Sequence, residues 1–288
     1  MRDNFYREAL LAYIDVLGFK KLIEKSITDA HLFSEILNLL RHLKKETGRG
    51  GRVVHEDGSP LPISIFRAFN FSDLTVRATY ADTATNYFSL CQWEFLYLCS
   101  IQIDLVCRTE FLVRGAISMG SIAMEPDKKI DDDILFGPAL IRAYELEKEK
   151  PGPPRIVIGS DVFEKADHHR GGSLWPEYLH RDDDGKFFID YLFGAAVDGL
   201  FVIQNKPVNL INTLQAHKDA VERRIMSLTD EDEGVIEKHR WLLSYHNNTV
   251  QRLKKRYARE KDPYDIFGAE PFEVPDSLKI DPTKFDKL

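Results

Sequence analysis

The stretch LLAYIDVLGFKKLI, residues 10–23, sets one carboxylate, Asp15, inside an apolar run and follows it with Gly18-Phe19. A half-buried strand alternates apolar and polar residues, whereas a strand covered on both faces reads as a continuous apolar run. Residues 10–17 are therefore expected to form a buried strand. An ionised Asp at its C-terminal end then needs a cation or a ring of donors, because an unpaired buried charge is costly. What meets that charge must come from elsewhere in the chain.

A chain of 288 residues has room for one large core or two small ones. Its formal charge of −7 argues against a dedicated nucleic-acid binder, which carries a basic face. The start, MRDNFYREAL, is polar and mixed in charge and does not resemble a signal peptide. The apolar segment 87–107 is interrupted by Gln92, Glu94, Gln102 and Asp104, the pattern of a core helix and not of a membrane span. Cys91, Cys99 and Cys107 all fall in that helix and are expected to be reduced thiols packed as small apolar groups. No membrane or nucleic-acid partner is expected, and the expected location is cytoplasmic.

The remaining pattern alternates element types. Residues 29–46 put Leu32, Ile36, Leu40 and Leu43 on one helical face, and a Gly-rich charged loop runs to about residue 60. LPISIFRAF (61–69) and DLTVRATY (73–80) form a hairpin around NFS. A long helix covers 83–108, EFLVRGAISMGSIAM (110–124) is a second hairpin or bent strand, and a helix over 137–149 stops at KPGPP. RIVIGSDVF (155–163) and GKFFIDYLF (185–193) are expected strands, and 208–260 is helical with a break at TDEDEG (229–234). The expected fold class is α/β, an α+β sandwich with a mostly antiparallel sheet covered by helices and a C-terminal helical hairpin. The expected division is a domain over 1–205, a helical extension over 206–262 and an extended tail over 263–288.

Asp15 ends one strand, and Asp73 sits at the turn of the next hairpin. Carboxylates from two strand ends hold Mg²⁺ or Mn²⁺ while nucleotide phosphates complete the shell. Gly18-Phe19 opens a short helix whose free N–H groups form an anion site, and Arg114 adds a fixed positive charge. Together these describe a triphosphate site. The plainer alternative is that both aspartates cap turns and that Arg114 pairs with one of them.

In order, these segments resemble the class III nucleotidyl cyclase catalytic domain over about residues 8–195. YIDVLGFKKLI is similar to its first metal-binding strand, FNFSDLTVRA to the hairpin with the second metal Asp, and FLVRGAISMG to its Arg-x-Gly-x-x-x-Gly strand. ILFGPALIRAYELE is similar to its Gly-x-x-x-Asn-x-Ala helix at Gly137 and Ala143, and IVIGSDVF to the strand that follows. The resemblance implies that Asp15, Asp73 and the Val16 carbonyl bind two Mg²⁺ or Mn²⁺. It also implies that the amides of Leu17, Gly18 and Phe19 hold phosphates, with Arg114 stabilising the leaving pyrophosphate and Lys186 as a second phosphate cation. The implied reaction is attack of the ribose 3′-hydroxyl on the α-phosphorus. The implied assembly is a homodimer with composite sites.

The departures are specific. The family's transition-state Asn falls at Ile141 and its Arg at Glu145, with Arg142 and Tyr144 on the same helix as candidate replacements. Its purine-reading positions fall at Phe69 and Ile134, which are apolar. This fits the pyrimidine cyclases of bacterial Pycsar anti-phage systems, which resemble this chain in size and in their opening strand. The expectation is UTP or CTP cyclisation, read by a separate effector protein. An inactive nucleotide-binding or scaffold module is the alternative, and a diguanylate cyclase is disfavoured because no GGDEF or GGEEF segment occurs. The acidic triplets at 131–133 and 182–184 are expected to be solvated loops, and His168-His169 lacks ligand partners at metal spacing. Trp241, Tyr245 and Asn247 are expected to pack on the core or on a dimer partner.

Overall fold

The apolar run is strand β1 (Arg7–Val16), with β3 (Leu74–Tyr80) on one side and β4 (Val113–Asp127) on the other, both antiparallel to it. Leu10, Leu11, Ala12 and Ile14 are at most 2% exposed, which is why the run does not alternate. The structure, a computed structural model, describes residues 5–47, 66–81, 87–109, 111–127, 132–148, 152–166, 178–197, 207–228, 233–258 and 273–287. The other strands are β2 (Phe66–Phe71), β5 (Asp132–Phe136), β6 (Ile156–Ile158), β7 (Leu179–Arg181) and β8 (Phe187–Ile189). Among the described residues the sheet has eight strands in the order β2-β3-β1-β4-β6-β8-β7, with β5 paired to β4 off that path. Only the β4–β6 pairing in this sheet is parallel, so the expected mostly antiparallel α/β architecture is the one that forms.

Helices α1 (Phe19–Ser26), α2 (Ala30–Thr47), α3 (Tyr87–Asp104), α4 (Pro138–Lys148), α5 (Ser160–Ala166), α6 (Tyr191–Val197), α7 (Pro207–Ser227) and α8 (Glu233–Tyr257) complete the described elements. By internal contacts the chain forms two units, Met1–Phe95 with Val113–Ile189 and Leu96–Leu112 with Asp190–Leu288. In the first, Ala9, Leu11, Val76, Ala78, Ala116, Ile122 and Met124 line one sheet face under Ala139 and Ala143 of α4. The neighbouring strand positions point the other way, where Arg77 is paired with Glu94 of α3 at 2.7 Å, both buried.

In the second unit, Asp190 accepts hydrogen bonds from the Tyr245 hydroxyl at 2.9 Å and from Arg252. Trp241 stacks on Tyr245 with ring centroids 5.1 Å apart. Asn247 holds Ile280 through both its backbone N–H and its carbonyl. The expected surface tail is therefore partly core: Val274, Leu278 and Ile280 are 1–2% exposed.

Several expectations need correction. Residues 155–163 are not one strand, because β6 ends at Ile158 and α5 begins at Ser160. Residues 185–193 likewise split into β8 and α6. Short apolar runs bury equally well as strand or helix turn, so periodicity does not separate them. Of the two expectations for 110–124, hairpin or single strand, the strand is the one that forms, as β4 over Val113–Asp127, and its hairpin partner is the unforeseen β5. The triplet at 131–133 is accordingly not a loop at Asp132 and Asp133, which pair with Asp127 and Pro126. The triplet at 182–184 forms the β7–β8 turn, where Asp182 and Asp184 both bind the buried Arg155 guanidinium.

The helix expected over 83–108 is α3 followed by a π-helical turn, Leu105–Thr109. By length and composition alone residues 90–109 are long and apolar enough to cross a membrane, and 61% of that stretch is buried inside the protein. Cys91 and Cys99 are fully buried, and burial pushes the Cys107 thiol up to about 11. The strand residues 61–65, the loop to residue 60 and His168-His169 lie outside the described residues.

Candidate functional site

β1 and β4 pair so that Asp15 lies directly opposite Arg114, with Leu74 on its other side. β2 and β3 are joined by the two residues Ser72 and Asp73, with Ser72 at a φ of 58°. The Val16 N–H donates to the Asp73 carbonyl at 3.3 Å. Asp15, Val16 and Asp73, residues 58 positions apart at the extremes, thus meet at one end of the sheet. Close pairing of β1 and β4 depends on Gly115, because a Cβ there would stand 2.1 Å from the Tyr13 carbonyl oxygen.

Arg114 Nε–H donates to Asp15 Oδ2 at 3.2 Å, and the same nitrogen stands 2.5 Å from Glu147 Oε1 of α4. One N–H serves one acceptor well, and Glu147 Oε1, buried, accepts no hydrogen bond among the described residues. Burial pushes the Asp15 carboxyl up to about 6; Arg114 opposes this, and the charges of Asp73 and Glu147 add to it. Tyr13, one pleat away on the same face, is pushed to about 12 by burial and then by Asp15 and Glu147. Two carboxylates, Asp15 and Glu147, thus face the one Arg114 nitrogen.

The turn after β1 places Gly18 at φ +74°, a conformation favouring glycine. Space above Gly18 is open, since a Cβ would meet nothing within 4 Å. No side chain caps α1, so no side-chain acceptor at Gly18 competes for its first amides. On the other flank, Lys186 shares with Arg114, Glu147, Arg155 and Asp184 the wall of a cleft of about 190 Å³. Burial works against the Asp184 charge, yet hydrogen bonds from Arg155 and the Lys186 amide hold its carboxyl below the usual range.

Other expected site residues lie apart from this cluster. Phe69 is 5% exposed and belongs to the core under α4, while Ile134 of β5 is 43% exposed. Ile141 and Glu145 lie on the exposed side of α4. Arg142 is committed to Asp161, Nη1 to Oδ2 at 2.6 Å, and Tyr144 packs edge-on against Tyr13 at 6.0 Å. Sequence reasoning missed Glu147. The signal was present: residues 139, 143 and 147 repeat at i, i+4, i+8, so a carboxylate sits on the face that buries two alanines.

Several solved structures are similar to this chain. One is the dimeric guanylyl cyclase domain of the RhoGC fusion protein from the fungus Blastocladiella emersonii, 10% identical, covering 64% of this chain and 96% of that one, TM-score 0.43. Another is the adenylyl cyclase CyaB from Pseudomonas aeruginosa, 11% identical, covering 64% and 93%, TM-score 0.43. A third is a class III adenylyl cyclase-like ATP-binding protein from the same organism, 12% identical, covering 93% and 50%, TM-score 0.39. No family model matches the chain, and no curated relative does. At about a tenth identity and TM-scores under 0.5, these likenesses carry no chemistry over to this chain.

The residues themselves fit a divalent cation. Among the described residues no three His, Cys, Asp or Glu side chains converge as a complete protein cage. Two carboxylates completed by phosphate and water suit Mg²⁺ or Mn²⁺. Burial is the main cause of the raised Asp15 carboxyl, with the charges of Asp73 and Glu147 adding to it, and a divalent ion would offset both.

Proposed function

We propose that this chain is a nucleotidyl cyclase that closes a pyrimidine nucleoside triphosphate, UTP or CTP, to its 3′,5′-cyclic monophosphate. The 3′-oxygen bonds to the α-phosphorus, the α–β anhydride breaks, the hydroxyl proton passes to solvent and pyrophosphate leaves. The observation that carries this is the meeting of Asp15 and Asp73 at adjoining strand ends, with Arg114 across from Asp15. Mg²⁺ or Mn²⁺, when held by Asp15, the Val16 carbonyl and Asp73, supplies Lewis-acid charge. The amides of Leu17, Gly18 and Phe19 orient the phosphates, and Arg114 and Lys186 offset charge on the departing pyrophosphate.

The pyrimidine preference rests on the resemblance, which puts apolar Phe69 and Ile134 at the purine-reading positions; Phe69 is core, and Ile134, 43% exposed, offers a base edge no hydrogen bond. A purine left with orphaned polar atoms loses about 1–3 kcal/mol per group, roughly tenfold to a hundredfold. A homodimer with composite sites belongs to the same proposal: Ile134, Phe136 and Ile141 leave apolar surface exposed, of the kind a subunit interface covers. So does a role in anti-phage defence through a separate effector, which rests on the motif resemblance. Incubation with equimolar ATP, GTP, CTP and UTP and Mn²⁺ is expected to yield cyclic UMP or cyclic CMP with pyrophosphate. Dominant cyclic AMP or cyclic GMP overturns the base preference and leaves cyclisation standing.

One observation favours a second reading, a nucleotide-binding module without turnover. The helix positions of the family's transition-state residues are Ile141 and Glu145, and Arg142 is held by Asp161. Mn²⁺-dependent NTP binding with no cyclic product from any of the four substrates would establish it.

A further inference from the structure

We infer that Glu147 is a positioning residue that takes over the Arg114 guanidinium when a cation enters at Asp15, and so decides how readily a cation reaches that carboxylate. This rests on the proposed cation role of Asp15 and Asp73. Arg114 Nε has two claimants: Asp15 Oδ2 at 3.2 Å, which receives the hydrogen, and Glu147 Oε1 at 2.5 Å, which does not. The Glu147 side chain is only 3% exposed, and that of Asp15 is 20% exposed. The carboxylate with less access to water is thus the one left without a hydrogen bond. Burying a charge without partners is expensive, so Glu147 gains whenever Arg114 turns wholly toward it.

A divalent cation on Asp15 repels the guanidinium and takes the oxygen it was using. Glu147 Oε1, at 2.5 Å, is then the acceptor already within reach of Arg114. Glu147 is fixed for the purpose: it lies on α4 one helical turn beyond Ala143, which is fully buried against the sheet. Its carboxylate does not join the two aspartates as a ligand, since no three such groups converge among the described residues. The exchange of Arg114 from Asp15 to Glu147 is therefore coupled to cation entry. The same exchange swings the guanidinium toward the cleft shared with Lys186, where a departing pyrophosphate would meet both cations.

The test is a double-mutant cycle read by Mn²⁺ affinity, measured calorimetrically or by electron paramagnetic resonance on the purified full chain without nucleotide. Asp15→Asn in the same assay sets the background: if wild type binds no Mn²⁺ that this variant loses, the proposed cation site fails, and the inference with it. Given a site, Glu147→Gln is expected to weaken Mn²⁺ binding about tenfold, the usual scale for an outer-shell partner. It does so because Arg114 is left with Asp15 alone. In an Arg114→Ala background the same substitution is expected to change nothing. An equal loss in both backgrounds means that Glu147 acts on the ion directly, and no loss in either means that it is structural; each overturns the inference while the cation site stands. Should Glu147→Gln not fold, Arg114→Ala alone decides: it must tighten Mn²⁺ binding, and unchanged or weaker binding overturns the claim.

Discussion

Asp15 and Asp190 each stand at the end of a strand and each meet an arginine, yet one is finished and the other is not. Asp190 is fully buried; one oxygen receives the Tyr245 hydroxyl and the other receives Arg252. The network continues, with Leu192 N–H donating to Tyr245 and the Tyr191 hydroxyl against His217. His217 lies 3.0 Å from His246, whose other nitrogen meets the Leu278 carbonyl. Among the described residues the Asp15 carboxylate has one hydrogen bond, at 3.2 Å, and shares its donor's nitrogen with Glu147. Burial leaves its carboxyl raised to about 6. A buried carboxylate with both oxygens matched is part of the architecture. One kept short of donors by a rigid sheet retains charge to give to a ligand.

The comparison breaks first at Asp73. Asp73→Ala is expected to reduce cyclic nucleotide formation more than about a thousandfold, since metal-borne charge contributes several kcal/mol to such a barrier. Its melting temperature should not fall, and near wild-type turnover with Mn²⁺ would place Asp73 with Asp190 as a structural group. Asp190→Ala should do the reverse. Leaving Arg252 without its buried partner is expected to cost about 3–4 kcal/mol of stability, visible in urea unfolding, whereas Mn²⁺ affinity stays as in wild type.

Acid sharpens the contrast, because the two regions respond with opposite sign. Burial holds His246 down to about 4 from 6.5. The unfolded chain then binds the extra proton first, so its contribution is complete above 6.5 and is lost as pH falls toward 4. The expected loss is about 3 kcal/mol, checked by melting curves across that window, and His246→Gln should flatten them. Asp15 is raised from 3.8 to about 6, so its contribution is present below 3.8 and is lost as pH rises through 6. Asp15→Asn should therefore stabilise the metal-free protein at pH 7. With solvent screening the gain is about 1 kcal/mol, and a less stable variant at that pH would show that Asp15 is matched after all.

Much of this was legible before any coordinates. The unbroken apolar run around Asp15 announced a strand buried on both faces, because such a strand has no solvent side to alternate toward. Asp73 and Arg114 were found as residue types in an order, and the pairing of β1 with β3 and β4 brings them to Asp15. Where local signals are ambiguous the sequence misleads: GSDVF and DYLF turn into helices, because two or three apolar residues satisfy either period. β5 gives no strand signal, because DDILF does not alternate: two acids precede three apolar residues.

By itself, then, the sequence determined that a carboxylate would end a buried strand, and that a second carboxylate, an arginine and a glycine turn were on offer to answer it. Those are properties of composition and period, which a chain carries unfolded. Only the tertiary structure decided that Arg114 is divided between Asp15 and Glu147, that Arg142 is spent on Asp161, and that Arg155 is taken by the acidic turn at 182–184. Partnerships between charges distant in sequence depend on strand register and helix packing. A shift of one residue in strand register would turn the same side chains to the opposite face.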